Sequence, residues 1–137
     1  MNYRYDDTIC AQATAIGNAG ISIIRVSGKD SLSIARHVFK LKMKEIMPRY
    51  MYLGDIYDGE KIIDKVLGVY FKAPFSYTGE DVFEIHCHGG IIVTNIILEL
   101  LVRYGARPAE PGEFTKRAFL NGKIDLRSEE HTSELQS

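Results

Sequence analysis

The dipeptide Asp58-Gly59 stands between two runs rich in β-branched and aromatic residues, 50–57 and 61–71. An Asp-Gly pair takes the tight turn whose twist matches that of paired strands, so the two runs read as a β-hairpin. That commits the middle of the chain to an antiparallel sheet, and the flanking segments must pack against it. Residues 8–14 alternate Ile9, Ala11 and Ala13 against Thr8, Cys10, Gln12 and Thr14, the period of a half-buried strand. Gly17, Asn18 and Gly20 supply a turn, and ISIIRVSG (21–28) supplies a second strand, giving a second hairpin. Asp30 or Ser31 caps a helix running to about Leu41, with Leu32, Ala35, Val38 and Phe39 on one face.

Residues 72–81 read as a loop and 82–87 as a strand; Gly89-Gly90 then opens a helix over about 91–104. That helix is apolar on nearly every side, which predicts burial on more than one side, one of them against a second subunit. Gly105 ends it as a left-handed cap. Pro108 and Pro111 predict a rigid bend, with Pro111 starting a short helix through Leu120 that Asn121-Gly122 stops. Hairpins with helices between them define the class: α+β, a single domain, a mixed or mainly antiparallel sheet and about three helices.

At 137 residues, 45% hydrophobic and 26% charged, the chain has the length and balance of one soluble domain. Its net charge of -1 excludes a global basic field for nucleic acid, so any RNA contact must be local or made elsewhere in a larger protein. No apolar run reaches the roughly 18–20 residues of a membrane span, and the first residues lack an apolar export core. The two cysteines, Cys10 and Cys87, have no CxxC spacing. The expectation is a reduced cytoplasmic protein with free thiols. Residues 127–137, RSEEHTSELQS, are polar and resemble a translated sequencing adapter. We set them aside as a non-native tail and expect the domain to occupy residues 1–126.

The densest chemistry lies in SYTGEDVFEIHCHGG, residues 76–90, with two glutamates (Glu80, Glu84), two histidines and a cysteine. On a strand, Val82, Glu84, His86 and His88 share one face, and Phe83, Ile85 and Cys87 share the other. The second face belongs to the core, which separates Cys87 from the histidines and weakens a zinc site. His37, on a separate helix, is the remaining histidine of residues 1–126. His86 and His88 are therefore expected to be structural, bonded to backbone or to each other. Glu84 needs a partner, because an unpaired buried charge is costly. The partner is either an internal cation or a ligand with two parallel N–H donors. Arg25, inside the apolar strand IIRVSG, has the converse need, and an Arg25–Glu84 ion pair would satisfy both. There is no GxxxxGK[ST] or GxGxxG motif, so the chain carries no phosphate-cradling loop and is not expected to be a self-sufficient enzyme.

Three stretches, DTICAQATAIGNAGISIIRVSG, SYTGEDVFEIHCHGG and RPAEPGEFTKRAFLNGKIDL, resemble the N-terminal domain of the tRNA uridine-modification GTPases of the MnmE/TrmE family. The resemblance covers about residues 7–126. It implies a fold similar to the folate-binding modules of aminomethyltransferases, binding of a tetrahydrofolate derivative (5-formyl- or 5,10-methylene-), and homodimerisation. It further implies a flavin-dependent partner protein, MnmG or GidA, and modification at C5 of the wobble uridine of tRNA. GTP, with Mg and K, would belong to a GTPase domain, and neither that domain nor the family's helical domain is covered by the resemblance. By matching motif, the folate-binding positions are Arg25, Glu84 and Lys123; no catalytic and no metal-binding residue is implied. Two other readings stay open: a stand-alone folate-dependent aminomethyltransferase relative, and a purely structural dimerisation module.

Overall fold

The computed structural model describes residues 6–14, 20–42 and 45–123. Among them are seven strands and three helices: β1 (Ile9–Gln12), β2 (Ser22–Ser27), α1 (Ser31–Val38), β3 (Phe39–Lys40), β4 (Met51–Asp58), β5 (Lys61–Phe71), β6 (Val82–Cys87), α2 (Gly90–Arg103), β7 (Arg107–Pro108) and α3 (Glu113–Leu120). The strands form one sheet in the order β3-β4-β5-β6-β2-β1-β7. Every neighbour is antiparallel except β1 with β7, so the α+β class and the mixed, mainly antiparallel sheet hold. Both expected hairpins form: β4 closes onto β5 through Asp58↔Lys61, and β1 pairs β2 through Gln12↔Ile24. Most of the turn expected between β1 and β2, and the tail at 127–137, lie outside the described residues.

The register sorts the side chains into two faces. Ile24 pairs with Ile85 and Val26 with Phe83, and all four are buried in the core. On this face α1 lies against β2, β4 and β6, α2 lies against β1, β2 and β6, and the two helices touch. Ile34, Ala35 and Val38 of α1 and Ile97, Leu100 and Leu101 of α2 complete the core. Cys10 and Cys87 are free and buried, and burial pushes the Cys10 thiol up to about 11. The odd positions of β2 and the even positions of β6 face the other way, where loop 72–81 and α3 cover them in part.

Four details depart from the sequence reading. The helix expected to reach Leu41 stops at Val38, because Phe39 turns extended (φ -102, ψ 115) and pairs with Ile56 of β4. Its ring sits over Gly54 and Gly68, where an added Cβ would come within 2.6 Å and 2.8 Å of it. Burial of that ring and a strand ladder outweigh one more helical turn. Next, within this one chain α2 is buried along a single side: Thr94, Ile97, Leu100 and Leu101 are buried, while Ile91 and Ile92 stand 66% and 71% exposed. Pro108, expected only in a bend, forms part of β7. Arg107 and Ala109 donate their N–H groups to Thr8 and Cys10, so the imino residue falls where the ladder needs no donor. Finally, α3 starts at Glu113 rather than Pro111, after a left-handed Gly112 (φ 75).

The two helix ends read from glycine behave as expected. Gly105 has φ 118, and the N–H groups of Gly105 and Ala106 bond back to the carbonyls of Val102 and Leu101. Gly122 has φ 74, and Gly122 and Lys123 bond back to Phe119 and Ala118 in the same way. Both are Schellman closures, which need a residue at ease with positive φ. The second one fixes the backbone of Lys123.

Candidate functional site

On β6, between β5 and β2, Glu84 is flanked by Val69 and Arg25. Arg25 donates through Nε to Glu84 Oε2 at 3.2 Å, and His86 Nε2 lies 3.3 Å from Oε1. His86 is thus tied to a carboxylate, not to backbone or to His88, which is exposed beyond the strand end. The side chains of Glu84 and Arg25 are 15% and 19% exposed. Burial works to raise the Glu84 carboxyl, but the hydrogen bond with His86 and the charge of Arg25 outweigh it and hold the group below its ordinary value. Glu84 is therefore an anion at neutral pH.

Arg25 is set by aromatic rings. Its guanidinium lies 4.7 Å from the centroid of Tyr77 and 5.2 Å from that of Phe114, within cation–π range. Tyr77 Oη and Thr115 Oγ1 are 3.0 Å apart, which ties loop 72–81 to α3. A cleft of about 400 Å³ opens beside Glu84, lined also by Arg49, Phe71, Phe75, Ser76, Tyr77 and Val82. It holds a carboxylate, a guanidinium and three aromatic walls. A larger hollow of about 540 Å³ lies between β1, β7 and α2, but its lining is mainly apolar and its only charged group is Glu99. Convergent polar groups mark ligand sites better than size alone, so the smaller cleft is the candidate.

The structure brings Arg25 and Glu84 into contact and sets Lys123 apart from them. Lys123 is exposed and stands against Gly79, whose added Cβ would lie 3.2 Å from Lys123 Cγ. It forms no ion pair among the described residues. Lys123 borders the loop that carries Tyr77, and so joins the same side of the sheet. Of the expected histidine positions, His37 stacks on Tyr104 at 4.7 Å on the helical face. Among the described residues no His, Cys, Asp and Glu side chains gather in a group of three that could hold a metal ion.

Sequence reasoning missed a second polar centre on this face. Arg117, 0% exposed, donates to the Asp7 carbonyl at 2.6 Å and to both Glu80 oxygens at 3.3 and 3.2 Å. Arg107 pairs with Asp7 and with Glu113, both at 2.6 Å. Glu113 is 3.5 Å from Arg117 one helical turn on, and Glu80 accepts from Ser27 at 2.7 Å. The hydrogen bond from Arg107 lowers the Asp7 carboxyl despite opposing desolvation, and hydrogen bonds to Glu113 and Asp7 raise Arg107. The available signal was the Glu113/Arg117 spacing on a half-apolar helix, which puts opposite charges on one face. This network clamps loop 72–81 and α3 onto β2, and so builds the wall of the cleft.

Residues 8–123 match the family described as GTP-binding protein TrmE N-terminus. The chain is 50% identical over 136 residues to the tRNA modification GTPase MnmE of Sulfurovum sp. (strain NBC37-1), covering 98% of this chain and 30% of that protein. It is 54% identical over 138 residues to the tRNA modification GTPase MnmE of Alkaliphilus metalliredigens, covering 96% of this chain and 30% of that protein. It is 54% identical over 125 residues to the tRNA modification GTPase MnmE of Clostridioides difficile, covering 88% and 27%. The chain thus spans about 30% of the length of the relatives it matches.

Proposed function

The chain belongs to the GTP-binding protein TrmE N-terminus family, and on that premise we propose that it is the folate-binding, dimer-forming module of a tRNA-modifying GTPase. In this reading residues 1–126 form the module, and residues 127–137 take no part. The observation that carries it is the paired Glu84 carboxylate bordering an aromatic cleft. A pterin ring is flat and presents neighbouring N–H donors. Each Glu84 oxygen has one partner here, Arg25 or His86, and a carboxylate oxygen accepts two hydrogen bonds, so one acceptor position on each remains. Arg25 spends only Nε on Glu84, which leaves its terminal nitrogens for an anionic or carbonyl group of the ligand. The residues present therefore fit a reduced folate.

Arg25, Glu84 and Lys123 would hold it, and when bound it supplies the one-carbon unit destined for C5 of a wobble uridine. Glu84 orients the ring by accepting from it, Arg25 keeps Glu84 charged, and Tyr77 and Phe114 keep Arg25 in place. Lys123, whose backbone the α3 closure fixes beside Gly79, would approach the ligand from the loop side. The chemistry itself, GTP hydrolysis with Mg and K, and contact with tRNA and the flavin-dependent MnmG partner belong in this reading to the longer protein. The working place is the cytoplasm; no helix among the described residues is long and apolar enough to cross a membrane.

Calorimetric titration of the chain with 5-formyltetrahydrofolate tests the reading. We expect saturable binding that Glu84→Ala abolishes while the circular dichroism spectrum is kept. A folded wild-type chain that binds no folate would leave a structural dimerisation module in its place.

A further inference from the structure

We propose that Arg49 is the anion contact of the Glu84 cleft: it receives the carboxylate tail of the ligand whose N–H-bearing ring lies on Glu84. This rests on the folate reading of the same cleft and assigns its two ends. Arg49 and Glu84 line one cleft, yet they do not pair with each other. Glu84 is already balanced by Arg25, so Arg49 leaves the cleft with an uncompensated cation. Its guanidinium enters no hydrogen bond or ion pair among the described residues, and the residue is exposed. Phe71, Phe75 and Tyr77 line the same cleft, with Phe75 71% exposed. A flat body with donors at one end and carboxylates at the other suits a cleft that combines an anion, aromatic walls and a cation.

The backbone points the same way. Arg49 has φ 68, and it is the only non-glycine residue with positive φ among the described residues. An L-residue in this region costs about 1–2 kcal/mol, which glycine would not incur. The backbone N–H of Arg49 bonds to the Tyr70 carbonyl at 2.7 Å, a contact that any residue except proline could make. Backbone geometry therefore favours glycine here, and the arginine is explained by its side chain. Strain of this kind gathers where a side chain has a binding task.

The test is calorimetric titration of the full chain, as wild type, Arg49→Gly, Arg49→Lys and Glu84→Gln. The ligands are 5-formyltetrahydrofolate and a reduced pterin without the glutamate tail, and each variant's melting temperature is recorded. For an exposed, charge-assisted contact we expect Arg49→Gly to bind the folate about 10-fold more weakly and the tail-less pterin as wild type does. Its melting temperature should be unchanged or higher, Arg49→Lys should recover part of the affinity, and Glu84→Gln should weaken both ligands. Folate affinity unchanged in Arg49→Gly, or an equal loss for the tail-less pterin, overturns the assignment while the folate reading stands. Wild type binding neither ligand overturns both.

Discussion

Replacing Arg117 with methionine removes a fully buried cation and keeps much of its volume. Its contacts with the Asp7 carbonyl at 2.6 Å, the Asp7 carboxylate at 2.5 Å, Glu80 at 3.2 Å and Glu113 at 3.5 Å go with it. Arg107 still holds Asp7 and Glu113 at 2.6 Å. Glu80 does not share that rescue: it keeps the Ser27 hydroxyl at 2.7 Å but loses its cation, with its side chain only 14% exposed. Removing one partner of a buried pair costs about 3–5 kcal/mol, because the other charge stays behind. Asp7, at 38% exposure, recovers some solvation, so the lower end applies. We expect Arg117→Met to lose about 3 kcal/mol in urea denaturation, a fall of roughly 10–15 °C in melting temperature. The double variant Glu80→Gln/Arg117→Met, which removes the stranded charge, should recover at least about 1 kcal/mol of that. A loss under about 1 kcal/mol in the single variant, the size seen for exposed pairs, would refute the claim that this network is buried and cooperative. So would the absence of any recovery in the double variant.

Three further outcomes can be checked. Gly68→Ala would place a Cβ 2.8 Å from the rings of Phe39 and Phe83, so denaturation should show a loss of about 1–3 kcal/mol; unchanged stability would mean that the rings move freely. Glu84 and Asp7 both have folded values below their ordinary ones, 4.5 and 3.8, so their contribution is complete above those values and is lost as pH falls through the folded values. Urea midpoints should thus be flat from pH 7 to about 5 and drop below about 4.5, less steeply in Glu84→Gln; a midpoint rising into acid would contradict this. If α2 serves the proposed dimer through Ile91 and Ile92, sedimentation should give a dimer at micromolar concentration that Ile92→Glu dissociates. A monomeric wild type would remove α2 from that role.

Much of the architecture was legible from residues close together in the chain. Strand β6 was read with its bounds, and its alternation put Phe83, Ile85 and Cys87 in the core and Glu84 and His86 on the other face. Asp58-Gly59 marked the β4–β5 hairpin, and Gly105 and Gly122 marked two helix ends. These features depend on local backbone energetics and on a period of two, both of which neighbouring residues display. The Arg25–Glu84 pair was anticipated on cost alone, since two charges inside apolar strands each require a partner.

Features that join distant residues were settled in space. Nothing in VFEIHC says that β6 lies between β5 and β2, yet that position sets Arg25 beside Glu84 and half-buries both. Phe39 left its helix because a hollow over Gly54 and Gly68 was open to it, and Pro108 joined β1 because Arg107 and Ala109 could donate there. Arg117 finds Asp7 across 110 positions and Glu80 across 37, and ion pairs carry no periodicity that would announce them. The sequence thus determined which face of each strand is apolar and where the chain turns. Tertiary packing determined which charges meet, because burial and chain closure, not spacing, choose a charge's partner.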